Sequence, residues 1–171
     1  MNFAPPQERT ESVYVVFVCT GNICRSPMAD VLFSDAVEEA GLTGSVRVRS
    51  CGMGGWHVGQ GADSRAVAEL AAAGHDGSRH RAAQLGPEHM GADLFVAMDS
   101  GHVRALRKAG VDPAKIRLLT SFDPQAPAGA AVEDPYYGDP SDFRRARRDI
   151  EGAMDGLMQW VRQELRDTSD R

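Results

Sequence analysis

Cysteine is scarce in this chain: three residues in 171, at 19, 24 and 51. An odd, small number does not make a disulfide framework and fits a reducing cytosol. None of the three stands at metal-ligand spacing with a histidine, and Cys19 and Cys24 alone are too few ligands for zinc, so no metal is expected. No apolar run approaches the ~20 residues that span a bilayer, so no membrane partner is expected. The first twelve residues are polar, contain Pro5-Pro6 and lack the apolar stretch of a secretory signal; they read as a loose arm. Excess positive charge is also missing. The net charge is −5, which argues against nucleic acid as a partner and makes any affinity for phosphate a local matter. There is no internal repeat, no linker and no G-x4-G-K-[ST] nucleotide loop.

The pattern that remains is an alternation of strands and helices. Val13–Val18 is a continuous apolar, β-branched and aromatic run and reads as a buried strand. A helix is expected from Pro27 to Ala40, with Ser26 as its cap and Gly41 as its stop. Ser45–Ser50 alternates as a second strand. Cys51–Gly61 holds five glycines and reads as a surface loop. Asp63 caps a helix to about Ala73. Ala92–Met98 is a third strand, Asp99–Ala109 a helix, and Lys115–Leu119 a short fourth strand. Ser121–Gly138, with prolines at 124, 127 and 135, is a long irregular loop of the kind that carries function. From Ser141 onward, Phe143, Ile150, Met154, Leu157, Val161 and Leu165 form a helical core stripe. The boundaries expected are an arm over 1–12, one domain over 13–166, and a fraying tail over 167–171. The fold class is α/β: a parallel sheet with helices on both faces.

Within that plan, one stretch carries chemistry. Cys19-Thr20-Gly21-Asn22-Ile23-Cys24-Arg25-Ser26 joins the first strand to the first helix. Its backbone N–H groups, the helix N-terminus and the fork of Arg25 make a cradle for an anion such as phosphate. A cysteine at the bottom of such a cradle is set up to attack phosphorus. The leaving oxygen needs a proton donor, and Asp134 in Glu133-Asp134-Pro135-Tyr136-Tyr137-Gly138 is the candidate. The adjacent Tyr136 and Tyr137 suit a wall for a ring-bearing ligand.

CTGNICRSP, GGWHVG and DPYYG, in this order, make the chain similar to the low-molecular-weight protein tyrosine phosphatases over about Val13 to Glu164. The resemblance implies a three-layer sandwich around a four-stranded parallel sheet of order 2-1-3-4. It implies metal-independent hydrolysis of phosphotyrosine through a cysteinyl-phosphate, with no cofactor. Cys19 falls on the nucleophile, Arg25 on the transition-state clamp and Asp134 on the general acid. Thr20, Gly21, Asn22, Ile23, Cys24 and Ser26 fall on the phosphate-binding loop, with Ser26 bonded to the sulfur. Asn22 falls on a residue that holds the loop backbone in a network with Ser26, Ser50 and His80. From the residues alone, however, His80 reads as an ordinary polar surface residue. The implied substrate rim is Thr20, Ile23, Trp56, Tyr136 and Tyr137. Cys24 is implied to form a reversible disulfide with Cys19, whereas Cys51 reads as a small buried residue. Tyrosine-phosphorylated proteins are the implied partners, with inorganic phosphate and other oxyanions as inhibitors.

Neighbouring chemistries fare less well. An arsenate reductase needs two further redox cysteines near mid-chain, and none follows Cys51. Protein-arginine phosphatases carry a small threonine where this chain has Ile23 and usually lack the second tyrosine of the acid loop. A phosphotyrosine-binding module without turnover would lack Cys19, Arg25 or Asp134. A papain-like hydrolase would leave Arg25 idle. The basic run Arg144–Arg148 reads as a solvated, paired helix face.

Overall fold

The computed structural model describes residues 12–169. The expected arm, apart from Ser12, lies outside them. Four strands, β1 (Val13–Cys19), β2 (Val46–Gly52), β3 (Leu94–Ala97) and β4 (Ile116–Leu118), form one parallel sheet of order β2-β1-β3-β4. The helices are α1 (Arg25–Glu39), α2 (Ser64–Ala72), α3 (Ser100–Lys108) and α4 (Pro140–Ser169).

β1 is buried on both faces, which is why its sequence is a continuous apolar run. Val13, Val15 and Phe17 share one core with α1, α2 and α4. Tyr14, Val16 and Val18 share the other with Leu106 of α3 and with Phe95 and Ile116. Phe17 meets Phe33 edge to face, centroids 5.9 Å apart. The expected stripe of α4 is buried at Phe143, Ile150, Leu157 and Val161. Met154 and Leu165 are partly buried against it.

Most element ends shift by a residue or two from the sequence reading, β3 for example starting at Leu94 rather than Ala92, and three of the shifts have a structural reason or consequence. Cys51 and Gly52 belong to β2 rather than to the glycine loop, because Cys51 pairs with Val18 and Gly52 with Cys19. α1 begins at Arg25, and Ser26 is not its cap: the hydroxyl points inward to the Cys19 sulfur instead. α4 runs on through Ser169, past the expected fraying point at 167.

The order of strands sets the site. β1 and β3 are central, so their carboxyl ends open side by side onto one edge of the sheet. Such an edge is where open α/β sheets place their ligands.

Candidate active site

Between the end of β1 and the start of α1 the chain folds into a loop whose carbonyls face outward. Met53 N–H donates to the Cys19 carbonyl at 3.0 Å, Gly54 N–H to Thr20 at 2.9 Å, and Asp63 N–H to Ile23 at 2.8 Å. His80 Nε2 lies 2.7 Å from the Asn22 carbonyl and must carry the proton there. Met28 N–H takes the Cys24 carbonyl at 3.1 Å. With these oxygens occupied on the outside, the N–H groups are left to line the interior. The Asn22 N–H points at Cys19 Sγ, 3.3 Å away. Asn22 is also the one non-glycine among the described residues with positive φ, at 60°. Its side chain holds that backbone: Nδ2 donates to Ser26 Oγ at 2.8 Å and Ser50 Oγ at 3.0 Å, and Oδ1 accepts from Ala83 N–H at 2.8 Å. Ser26 Oγ is 2.9 Å from Cys19 Sγ.

The loop rests on Gly52. A Cβ there would sit 2.8 Å from the Thr20 carbonyl oxygen and 2.9 Å from the Gly21 carbonyl carbon. Only glycine lets the two backbones approach this closely.

Arg25 is 3% exposed and held in place on several sides. Its Nη1 donates to Asp99 Oδ2 at 2.9 Å and to the Val132 carbonyl at 3.0 Å, while Nη2 lies 3.6 Å from Asp134 Oδ2. Asp99 caps α3, accepting the His102 N–H, and His102 in turn lies against Thr20. The sequence reading missed Asp99 and His102. The signal was available: an Asp-x-x-His pair begins the helix after β3, at the same sheet edge as Cys19.

Asp134 reaches the site from the long loop. Its Oδ1 accepts the Tyr136 N–H at 3.1 Å, a local turn that leaves the carboxyl facing Arg25. Arg65, also missed in the sequence, ties this loop to α2 through the Tyr136 carbonyl at 2.9 Å and the Gly138 carbonyl at 3.3 Å. Tyr136 and Tyr137 meet edge to face at 4.8 Å. Trp56, 72% exposed, lines the same cleft.

Together these residues enclose a cleft of about 360 Å³. Cys19, Thr20, Gly21, Ile23, Cys24, Arg25, Trp56, Asp134, Tyr136 and Tyr137 line it, and His57 joins them unannounced by the sequence. Asn22, Ser26, Ser50 and His80 do not line it; they brace the loop from behind. The surface reading of His80 is therefore corrected: its ring is partly buried and committed to the Asn22 carbonyl.

Burial depresses His80, against the pull of that carbonyl and of Asp30. It pushes the Cys24 thiol up, with Asp63, Cys19 and Asp134 adding to it. The Cys51 thiol is likewise pushed up to about 12 by burial. Burial raises Asp99, but Arg25 and His102 outweigh it and hold the carboxyl below its ordinary value. Among the described residues no cluster of three or more His, Cys, Asp or Glu side chains is arranged for a metal ion, and no helix is long and apolar enough to cross a membrane. Of the basic run on α4, Arg147 pairs with Glu69 and Glu151, and Arg145 with Asp142.

The family model described as low molecular weight phosphotyrosine protein phosphatase matches residues 14–167. A Mycobacterium tuberculosis protein named low molecular weight protein-tyrosine phosphatase A is 52% identical over 157 residues, covering 91% of this chain and 96% of its own. The crystal structure of a protein tyrosine phosphatase from Entamoeba histolytica superposes with a TM-score of 0.83 at 28% identity, over 89% of this chain and 98% of that one. An arginine phosphatase, YwlE, superposes with a TM-score of 0.78 at 30% identity, over 88% and 96%.

Proposed function

The chain belongs to the low molecular weight phosphotyrosine protein phosphatases, and from that premise we propose how its own residues divide the work. The family's reaction is cysteine-based and metal-independent: phosphotyrosine is hydrolysed through a cysteinyl-phosphate. We assign the nucleophile to Cys19. Its sulfur attacks phosphorus from the floor of the loop, and the bond from phosphorus to the phenolic oxygen breaks. Asp134 gives its proton to that oxygen as tyrosine leaves. The equatorial oxygens are held by the loop N–H groups and the Arg25 fork, whose charge and geometry suit the transition state. Asp134, now a carboxylate, takes a proton from water; the water oxygen attacks phosphorus, and inorganic phosphate departs. Ser26 donates to the departing sulfur and makes it a better leaving group. Trp56, Tyr136 and Tyr137 wall the aryl ring.

The observation that carries this assignment is the meeting in one cleft of two distant segments, the loop from Cys19 to Arg25 and the loop that carries Asp134. Cys19 Sγ sits under the loop, Arg25 at its side, and Asp134 Oδ2 3.6 Å from the Arg25 fork. Partners are tyrosine-phosphorylated proteins. Inorganic phosphate and other oxyanions fit the same cradle as inhibitors, nucleic acid and membranes are not partners, and the setting is cytoplasmic. Cys24 serves as redox partner: peroxide converts Cys19 to a sulfenic acid, the Cys24 sulfur displaces water from it, and dithiothreitol reduces the disulfide.

The test is phosphate release from matched phosphotyrosine, phosphoserine and phosphoarginine peptides, with EDTA throughout and Cys19→Ser alongside. Phosphotyrosine turnover lost in the variant is the expected result. A preference for phosphoarginine would move the substrate class to that of the arginine phosphatase while keeping the mechanism. For the redox role, peroxide-treated protein should regain activity with dithiothreitol and Cys24→Ser much less; equal recovery would remove Cys24 from it.

A further inference from the structure

Thr20 lines the cleft, yet its hydroxyl is gripped from behind by α3. His102 is buried and sets Nε2 2.9 Å from Thr20 Oγ1. Its other nitrogen, Nδ1, lies 3.4 Å from Asp99 Oδ1 but is not aligned for a hydrogen bond. Arg25 closes the ring of contacts, with Nη1 on Asp99 at 2.9 Å and Nη2 on Thr20 Oγ1 at 3.5 Å. The clamp is thus joined to His102 twice, through a carboxylate and through a hydroxyl.

The charges around this ring favour one tautomer of His102. A guanidinium has donors only, so Thr20 Oγ1 accepts from Nη2. The Thr20 O–H has two acceptors open to it, solvent in the cleft and His102 Nε2 at 2.9 Å. The Asp99 carboxylate, 3.4 Å from Nδ1, favours the neutral tautomer with its proton on Nδ1 and leaves Nε2 to accept from Thr20. The opposite tautomer would set a nitrogen lone pair against that carboxylate.

We propose that His102 is a positioning residue acting through Thr20 on Arg25, and that its imidazole proton decides which way the Thr20 hydroxyl faces. Neutral, it takes the Thr20 O–H and leaves the oxygen lone pairs to Arg25. Protonated, Nε2–H donates to Thr20 and frees that O–H for a phosphoryl oxygen in the cleft. The proposal rests on the phosphatase reading above. The groups facing His102 are Asp99 on its own helix, Arg25 on α1, Asp134 on the long loop and the Thr20 hydroxyl. Burial favours the neutral ring, Asp99 opposes it, Arg25 reinforces it and Asp134 opposes it, with the net direction downward. The neutral form therefore prevails at neutral pH, and the switch operates in acid.

Thr20→Val and His102→Leu should each lower kcat on a phosphotyrosine peptide about tenfold, as expected when a clamp is set slightly off its productive geometry. KM should change far less. The double variant should lose no more than either single, because one bond serves both. Thr20→Ser should restore most of the rate. His102→Gln places an amide near the Nε2 position and cannot titrate, so the ratio of wild-type to variant kcat should be flat near neutrality and bend in acid. Imidazole 15N spectra of the wild type should show the Nδ1–H tautomer, a reading that needs no turnover. Losses that multiply in the double variant, or an Nε2–H tautomer at neutral pH, would overturn the relay. A ratio flat to acid would overturn its proton dependence. Should His102→Leu fail to fold, Thr20→Val, on the cleft surface, and His102→Gln carry the test. Failure of the parent reading looks different: the wild type would not hydrolyse phosphotyrosine, or Cys19→Ser would.

Discussion

The two walls of the cleft are built on opposite terms. On the sheet side, the loop from Cys19 to Arg25 has five carbonyls anchored, a positive-φ residue braced by three side-chain hydrogen bonds, and an arginine 3% exposed with two partners on Nη1. On the solvent side, Tyr137 is 92% exposed, Trp56 72%, and the Asp134 side chain 44%. Neighbouring bonds over-determine the first wall, whereas the Asp134–Gly138 part of the second is held by Arg65 and a local turn. Transition-state stabilisation needs donors fixed in advance, because reorganising them during reaction costs rate. Recognition of a protein surface needs apolar area that solvent can reach before the partner arrives.

Substitutions should respect that division, and the largest effect is expected where the rigid wall meets the phosphoryl group. Arg25→Lys keeps a charge but not the fork, and should lower kcat by about 10³-fold with the circular dichroism spectrum unchanged. A loss confined to KM would mean that the clamp binds substrate and transition state alike. Asp134→Asn should cost about 10²-fold on phosphotyrosine peptides and much less on aryl esters whose leaving group needs no proton. Equal losses on both would deny it the role of acid. Asn22→Ala removes three hydrogen bonds and leaves an unfavourable φ. It should cost roughly tenfold in kcat and lower stability by about 1–3 kcal/mol, read from the urea midpoint. A variant as stable and active as wild type would show that the outward carbonyl contacts suffice.

On the open wall, Trp56→Ala and Tyr137→Ala should raise KM a few-fold for peptides and leave kcat and the thermal midpoint nearly unchanged, since each ring is mostly in water already. A fall in kcat of tenfold or more would erase the contrast between the walls. The smallest expected effect concerns acid. Burial depresses both His80 and His102, so the unfolded chain binds protons more readily than the folded one. Stability should be full above the unfolded histidine value of about 6.5 and fall as pH drops through the lower folded values. His80→Gln should flatten part of that slope in pH-dependent urea titrations.

The closed wall was largely legible in the sequence, and the reason is locality. A buried strand, a loop with Gly and Asn, and a helix start lie within nineteen consecutive residues, Val13 to Val31, so propensity and spacing report them directly. What escaped came from elsewhere in the chain. Asp99 and His102 act on a loop some eighty residues away, and Arg65 on a loop seventy residues away. Their side chains look like an ordinary helix cap, an apolar-face histidine and a surface arginine until the sheet order brings them in. His80 misled for the same reason: its partner is a backbone carbonyl, which leaves no mark in the sequence. Ser26 misled differently. Ser-Pro is a fair helix-start signal, but a hydroxyl beside a buried sulfur and a buried amide has stronger claims on it than a helix end does.

Gly52 has a consequence for how errors in assembly would be detected. The loop lies on the one residue of β2 without a side chain, directly opposite Cys19. A slip of β2 by one position would bring Cys51 or Met53 beneath it and lift the loop, and would turn Arg47 and Arg49 toward the core in place of Val46 and Val48. Strand alignment and the shape of the cradle are therefore set by the same pairing: the register that buries Val46 and Val48 is the one that puts a residue without a side chain under the loop, so specific activity counts correctly threaded molecules.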